Sequence, residues 1–452
     1  MFNKIVQYII NKGKCFFAGL LRKKILTKKQ LSGVYKIKQL LSYFLPKEQR
    51  QINLINHHVN YLQNRLLAPK ISVIENKKNG KRVSLFIMEV NFQYFSGGYI
   101  GMFQFAKFLR NQGYRLRLIT TDYCETDLNK WRLEIKKYKG LENFFEDIEI
   151  ENIYYRDGVV NFESDEILIA TSIITAQIVN HIREQLKTKK FIFLIQEYES
   201  LFFPSGSLSA LSDESYTFPH FAVFSTEILR QYFKSNSIGV FSSLSGDDNS
   251  VSFKNSIVAL TPDKNLHQRK TKKLLFYFRP EEHAARNMYE TGLIALKQAI
   301  EEGYFEKHDW EFYGIGSLLP VNSKIKITQE KSLIIIPKVN LKEYTELMPE
   351  FDLGLSLMLS PHPSLVPIEM CSVGMVTVTN TYANKNERAL KSISENFICA
   401  SPTIDSIKNS LKTAVMKVED IDERIENSRV NWPDDWGQVF NDDFFKKTQN
   451  FL

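Results

Sequence analysis

Val83-Ser-Leu-Phe-Ile-Met-Glu-Val90, Ser96-Gly97-Gly98 and Tyr114-Arg-Leu-Arg-Leu-Ile-Thr120 together decide the fold. The first stretch follows the polar segment Glu75–Lys81 and is rich in apolar residues, so it reads as a strand. Between the glycine pair and Tyr114, the residues Met102, Phe105, Phe108 and Leu109 fall at helical spacing, and Gln112-Gly113 stops the helix. Strand, glycine turn, helix, glycine stop and strand make a βαβ unit with a right-handed crossover. Small residues at its first turn let backbone N–H groups and the helix N-terminus approach a ligand, which makes Gly97 and Gly98 candidate binding residues. Many α/β proteins use such a pair only to turn tightly.

Further strands read at Glu166–Ala170 and Phe191–Ile195, separated by an apolar-periodic helix over Ile173–Leu186. Continuous apolar strands indicate a parallel sheet buried on both faces. Functional groups of such sheets lie just past the strand C-termini, which singles out Asn91–Gly98 and Gln196-Glu197-Tyr198-Glu199. The polar stretches around Gly246–Ser250 and Pro262–Lys273 read as a connection. A second βα series follows: Leu274–Phe278, a helix through Ile294 and Ile300, Trp310–Gly314, Leu333–Pro337, a helix from Leu341, Leu353–Leu359, a short helix and Val376–Asn380. Alternation at this spacing specifies a second doubly wound parallel sheet. The fold class is therefore α/β, with two Rossmann-like domains over residues 76–262 and 263–430 facing across a cleft. Residues 1–75 form an N-terminal extension and residues 431–452 a C-terminal segment; 452 residues suit this division.

The net charge of +8 is not spread evenly. Residues 1–50 carry twelve Lys/Arg against the single acid Glu48, a net of +11, which leaves −3 for the remaining 402 residues. A nucleic-acid binder would show a basic stripe on its folded domain, so nucleic acid is not an expected partner. In the extension, Phe2, Ile5, Val6, Ile9, Ile10, Phe16, Phe17, Leu20 and Leu21 share one helical face. The longest uncharged run, Cys15–Leu21, is too short to span a bilayer and is followed by no cleavage site for a signal peptide. Lying in the interface of an anionic membrane through residues 2–29, with Arg22, Lys23, Lys24, Lys28 and Lys29 against the headgroups, fits the heavy lysine clustering. A helix packed on the protein's own body fits the apolar stripe as well. Cys15, Cys124, Cys371 and Cys399 stand without CxxC or His-paired spacing, so neither a disulfide framework nor a metal site is expected.

The chemistry gathers at three strand ends of the second domain. Arg279-Pro-Glu-Glu-His-Ala-Ala-Arg286 follows Leu274–Phe278, and two guanidiniums on one loop can neutralise a diphosphate with paired N–H donors. Glu281 and Glu282 could instead pair with those arginines. Lys338 follows Leu333–Pro337 as a second candidate phosphate contact. After Leu353–Leu359 comes Ser360-Pro-His362-Pro-Ser364-Leu-Val-Pro-Ile-Glu369, ending in Met-Cys-Ser-Val-Gly374.

Gln196-Glu-Tyr-Glu-Ser-Leu-Phe-Phe-Pro-Ser-Gly-Ser207, with Phe224-Ser-Thr-Glu227, Leu229 and Tyr232-Phe233, resembles bacterial rhamnosyltransferases that build surface polysaccharide and S-layer glycans. These are related to family-4 glycosyltransferases of the GT-B fold. The resemblance runs over roughly residues 83–440 and is specific in Gln196–Ser207 and Pro361–Asn380. It places Glu197 where relatives carry an acid beside the sugar site; on its residues alone Glu197 is an unassigned carboxylate at a strand end. It matches Glu369 to the glutamate that binds the ribose hydroxyls, with Gly374 and Val376–Asn380 following as in the family. The usual partner glutamate eight residues earlier is replaced by Pro361, which leaves the sugar contact open between His362 and Ser364.

The resemblance implies a glycosyltransferase, moving L-rhamnose from dTDP-L-rhamnose onto a lipid-linked surface glycan, retaining in stereochemistry and without metal or other cofactor. Arg279, Arg286 and Lys338 would stabilise the leaving diphosphate. It further implies a C-terminal helix crossing back to the first domain, and a cytoplasmic enzyme peripheral on the inner face of the plasma membrane. A UDP-hexose donor and a non-catalytic sugar-nucleotide-binding subunit are the alternatives. A dinucleotide-dependent oxidoreductase would need G-x-G-x-x-G after the first strand, and Ser96-Gly97-Gly98-Tyr-Ile-Gly101 lacks that spacing.

Overall fold

The structure is a computed structural model that describes residues 47–452 apart from residues 94, 96, 157, 264, 265, 267, 268, 321 and 338. The segment 2–29 assigned above to a membrane lies outside the described residues. Two units compose the chain, one ending at Leu67 and the other beginning at Ala68. In the first, helix Lys47–Leu66 contains no glycine or proline and leaves Ile52, Ile55 and Val59 exposed. No helix among the described residues is long and apolar enough to cross a membrane.

The first unit ends at Leu67, short of the residue 75 read as the end of the extension. Lys70–Ile74 is a strand of the second unit, paired in parallel with Val159–Glu163 in a small two-stranded sheet. Only five residues long and with none of them fully buried, it gives a weak strand signal in the sequence.

The second unit holds two seven-stranded sheets. Across the first, the strands lie in the order Glu149–Asn152, Arg115–Thr120, Arg82–Ile87, Ile167–Ala170, Phe191–Ile195, His220–Ser225 and Ser250–Phe253, all parallel. The chain starts at Arg82–Ile87, steps outward twice, then returns to Ile167–Ala170 and proceeds the other way. The central strands are buried along their whole length, as their unbroken apolar runs require. Helix Ile173–Arg183 is capped by Ser172, whose side chain accepts from Thr175 N–H while the Thr175 hydroxyl answers the cap backbone. It ends three residues before Leu186, whose N–H bonds instead to Arg183 O in a turn.

The second sheet runs Lys324–Lys326, Ser332–Ile335, Asp309–Ile315, Thr271–Tyr277, Leu353–Leu355, Val376–Asn380 and Phe397–Ala400, with only the edge strand Lys324–Lys326 antiparallel. The strand expected over Leu353–Leu359 stops at Leu355. Beyond it Met358 N–H bonds the Asn380 side chain at 2.7 Å in place of a ladder partner, which turns the chain into a loop. Helix Tyr289–Glu301 buries Gly292, Ala295, Leu296 and Ala299, so Ile294 faces outward rather than into the core.

Past Trp432 the chain returns to the first domain. Phe440 and Phe444 pack against Phe105, Phe108 and Phe253, with ring centroids 5.0–6.4 Å apart. Each side chain so buried contributes roughly 1.5–3 kcal/mol. The two crossings between domains are tied together: Trp432 Nε1 donates to Asn255 O at 2.7 Å and Ile257 N–H to Pro433 O at 3.0 Å.

Candidate active site

Each sheet reverses its winding beside its first strand, and in open α/β sheets ligands collect at the strand C-termini near that point. The two sets of strand ends meet. Glu197, two residues past Phe191–Ile195, accepts a hydrogen bond from Ser360 Oγ of the second domain at 2.5 Å, and its Oε1 lies 3.8 Å from Arg286 Nε. The Arg286 guanidinium sits 4.3 Å from the Phe202 ring centre. Its buried Nε has no hydrogen-bond acceptor among the described residues, so one charged donor is left over in the cleft.

His362 is buried between the domains. Its Nδ1 accepts from Ser364 N–H at 3.0 Å, so in the neutral ring Nε2 carries the proton and faces Ser225 Oγ at 3.4 Å. Burial holds its pKa below the usual histidine value, in agreement with a neutral ring. Ser364 adopts φ +64°, a left-handed conformation that places its N–H on the imidazole. Lys385, almost wholly buried, donates from Nζ to Met358 O at 2.8 Å. Burial, partly opposed by Glu197, pushes its pKa down to about 7.

Glu369 stands near the start of helix Val366–Ser372, with Pro367 in the first turn. Its Oε1 accepts from Val258 N–H at 3.1 Å and its Oε2 from Tyr344 OH at 2.7 Å. Gly97 opens helix Gly97–Asn111 directly under the loop before that helix: a Cβ there would come within 2.7 Å of Leu365 Cδ1. The Gly97 and Gly98 carbonyls accept from Asn255 and Gln196 at 3.2 and 3.0 Å, which fixes the turn against the interdomain crossing.

The geometry thus joins Glu197, Arg286 and His362 in one cluster and sets Gly97 beside the loop leading to Glu369. Arg279 has protein partners instead: its Nε pairs with Glu281 at 3.0 Å and its NH1 with Tyr277 OH at 3.1 Å, one of the pairings open in the sequence. Lys338 lies outside the described residues. Sequence reasoning missed Tyr344, Val258, Ser225 and Lys385 as site residues. Each reaches the cleft from a different strand end, helix or crossing, and no local spacing marks them.

Two domain models match the chain: the WsaF N-terminal domain over residues 82–227 and the WsaF C-terminal domain over residues 272–412. The chain carries both domains of the WsaF family, in order. The O-antigen biosynthesis protein RfbC of Myxococcus xanthus is 27% identical over 259 residues, 55% of this chain. The match spans only 18% of that protein's own length. Among solved structures, HepE of Anabaena in complex with UDP superposes with a TM-score of 0.52 at 11% identity, over 82% of this chain and 100% of that one. The same protein with UDP-glucose gives 0.51 at 11% identity, over 82% and 98%. These likenesses show the fold, which is GT-B. The WsaF domains fall within the two Rossmann-like sheets just described, and helix Lys47–Leu66 precedes both.

Proposed function

We propose that this WsaF-family chain is a glycosyltransferase that moves a hexose from a nucleotide-sugar donor onto a bacterial cell-surface glycan. One observation carries the reading: the carboxylate of Glu197 from the first domain and the guanidinium of Arg286 from the second meet in the cleft, and Ser360, which bonds Glu197, lies on the loop that leads to the helix of the buried Glu369. A transferase needs an acceptor face and a donor face that meet at one point, and the two matched domains supply one each. In the finer reading the donor is dTDP-L-rhamnose, as the motifs shared with surface-glycan rhamnosyltransferases suggest, and the transfer retains configuration without a metal. The acceptor is a lipid-linked glycan, in line with the relative named for O-antigen biosynthesis.

In this mechanism Glu369 accepts hydroxyl hydrogen bonds from the nucleotide sugar. Arg286, whose Nε has no hydrogen-bond acceptor among the described residues, stabilises the charge that develops as the bond between sugar C1 and the diphosphate oxygen breaks. Arg279 reaches the diphosphate by exchanging its bond to Glu281 for one to phosphate. The acceptor hydroxyl attacks from the face the diphosphate leaves, and its proton passes to the departing phosphate oxygen. Glu197 orients that hydroxyl. Residues 2–29 hold the enzyme at the anionic membrane surface where such an acceptor resides.

The test is thermal stabilisation of the purified protein by dTDP, UDP and NAD. A shift with dTDP or UDP that disappears in Glu369→Ala supports the reading, and stabilisation by NAD alone overturns it. Hydrolysis across a panel of nucleotide sugars then identifies the donor.

A further inference from the structure

Glu369 is only 7% exposed, yet no lysine or arginine among the described residues forms an ion pair with it. Two neutral donors satisfy it instead. Tyr344 OH, from the capped helix Leu341–Leu347, bonds Oε2 at 2.7 Å; Val258 N–H, from the interdomain crossing, bonds Oε1 at 3.1 Å. The Tyr344 ring lies in an apolar cluster that includes Met348, Phe351 and Met370. The other titratable group facing it is Tyr277 on the central strand, whose hydroxyl accepts from Arg279 NH1.

We infer that Tyr344 is a positioning residue of the donor site: its hydroxyl keeps Glu369 ionised and aims the carboxylate's free lone pairs at the hydroxyls of a nucleoside diphosphate. This rests on the reading of Glu369 as a nucleotide ligand. The physics follows from the burial. An isolated buried carboxylate prefers to hold its proton, and burial does push Glu369 above the ordinary glutamate value. The bonds from Tyr344 and Val258 favour the charged form and pull it back. A protonated carboxyl presents a donor where the nucleotide needs an acceptor, so the tyrosine controls whether the site is open for binding. Tyr344→Phe keeps the ring in its apolar cluster and removes only the hydroxyl.

Two measurements on the full-length protein decide it. The carboxyl resonance of Glu369, identified by its absence in Glu369→Gln, is titrated by carbon NMR in wild type and Tyr344→Phe. The midpoint is expected to rise by about one pH unit in the variant, a tenfold change in proton affinity; an unchanged or lower midpoint overturns the proposal. Calorimetry with dTDP, UDP and inorganic pyrophosphate supplies the second arm. Tyr344→Phe should weaken both nucleotides by up to about tenfold, more near pH 6 than near pH 8, with pyrophosphate unaffected. An equal loss at both pH values, or the same loss for pyrophosphate, marks a packing role and overturns it. If the wild type binds neither nucleotide, the nucleotide reading of Glu369 fails, while the NMR titration still shows whether Tyr344 governs its ionisation.

Discussion

Ser360 Oγ donates to Glu197 Oε2 at 2.5 Å, and through this bond a strand end of the first domain meets a strand-end loop of the second. Glu197 therefore has one oxygen on a neutral donor and the other 3.8 Å from the Arg286 guanidinium. Glu197→Gln preserves the shape and removes the charge. Turnover should fall by about 10²-fold, the size of effect seen when a group that orients a reactant is lost. The dissociation constant for dTDP or UDP should change less than about threefold, because Glu369 and its donors lie elsewhere in the cleft. Initial rates and calorimetry on the same preparation check both halves; a parallel loss of nucleotide affinity would place Glu197 in the donor site instead.

The two sheets were legible because their central strands are uninterrupted apolar runs such as Phe191–Ile195, and a parallel sheet covered on both faces leaves no other pattern. Edge strands were not: Glu149–Asn152 and Lys324–Lys326 are mostly polar, as strands with one open side can be. Glu369 and Glu197 were legible only through resemblance, since a carboxylate after a strand carries no mark of its partner. Tyr344 and Val258 bond to Glu369 from 25 and 111 positions away. Such contacts are set by how the domain crossing packs, which no short window contains.

Asp352 illustrates the same point for stability. It is fully buried at the amino end of strand Leu353–Leu355, where Arg424 reaches its Oδ1 from both terminal nitrogens at 3.4 Å and Lys273 N–H bonds its Oδ2 at 3.0 Å. Arg424 also donates to Gly374 O and Val418 O, so it pins the helix Ile421–Glu426 under the second sheet. Removing Asp352 takes the buried counter-charge from Arg424 and from the nearby Arg269 and Lys272. Asp352→Ala should cost roughly 3–5 kcal/mol in a urea titration of the whole chain. A loss below about 1 kcal/mol would mean that Arg424 is satisfied by its carbonyl partners alone.

Deleting residues 2–24 removes the whole apolar stripe together with Lys4, Lys12, Lys14, Arg22, Lys23 and Lys24. Sedimentation with phosphatidylserine-containing vesicles should show the intact chain bound and the deleted chain in the supernatant, with nucleotide-induced thermal stabilisation unchanged. Binding of the intact chain should fall as salt rises, because the surface potential acts within a Debye length. If the deleted chain unfolds, the segment packs on the body instead.

Lys385 gives a pH dependence whose sign is fixed by its burial. Its amino group donates to Met358 O and lies near the Glu197 carboxylate, the Cys399 thiol and the His362 ring, with its pKa pushed down by burial to about 7. In the unfolded chain lysine titrates near its ordinary value of about 10.4. Below about pH 7 both states hold the proton and the folded state bears the full burial cost. Between about 7 and 10 the unfolded chain holds a proton that the folded chain lacks, so stability rises with pH. Lys385→Met lacks this group, so the wild type should gain on the variant by up to about 1.4 kcal/mol for each pH unit through that window. Paired urea titrations near pH 7, 8 and 9 measure the difference. A gap that stays constant would show that the folded protein lets Lys385 keep its proton, with the bond to Met358 O and the nearby Glu197 charge sufficient to offset its burial.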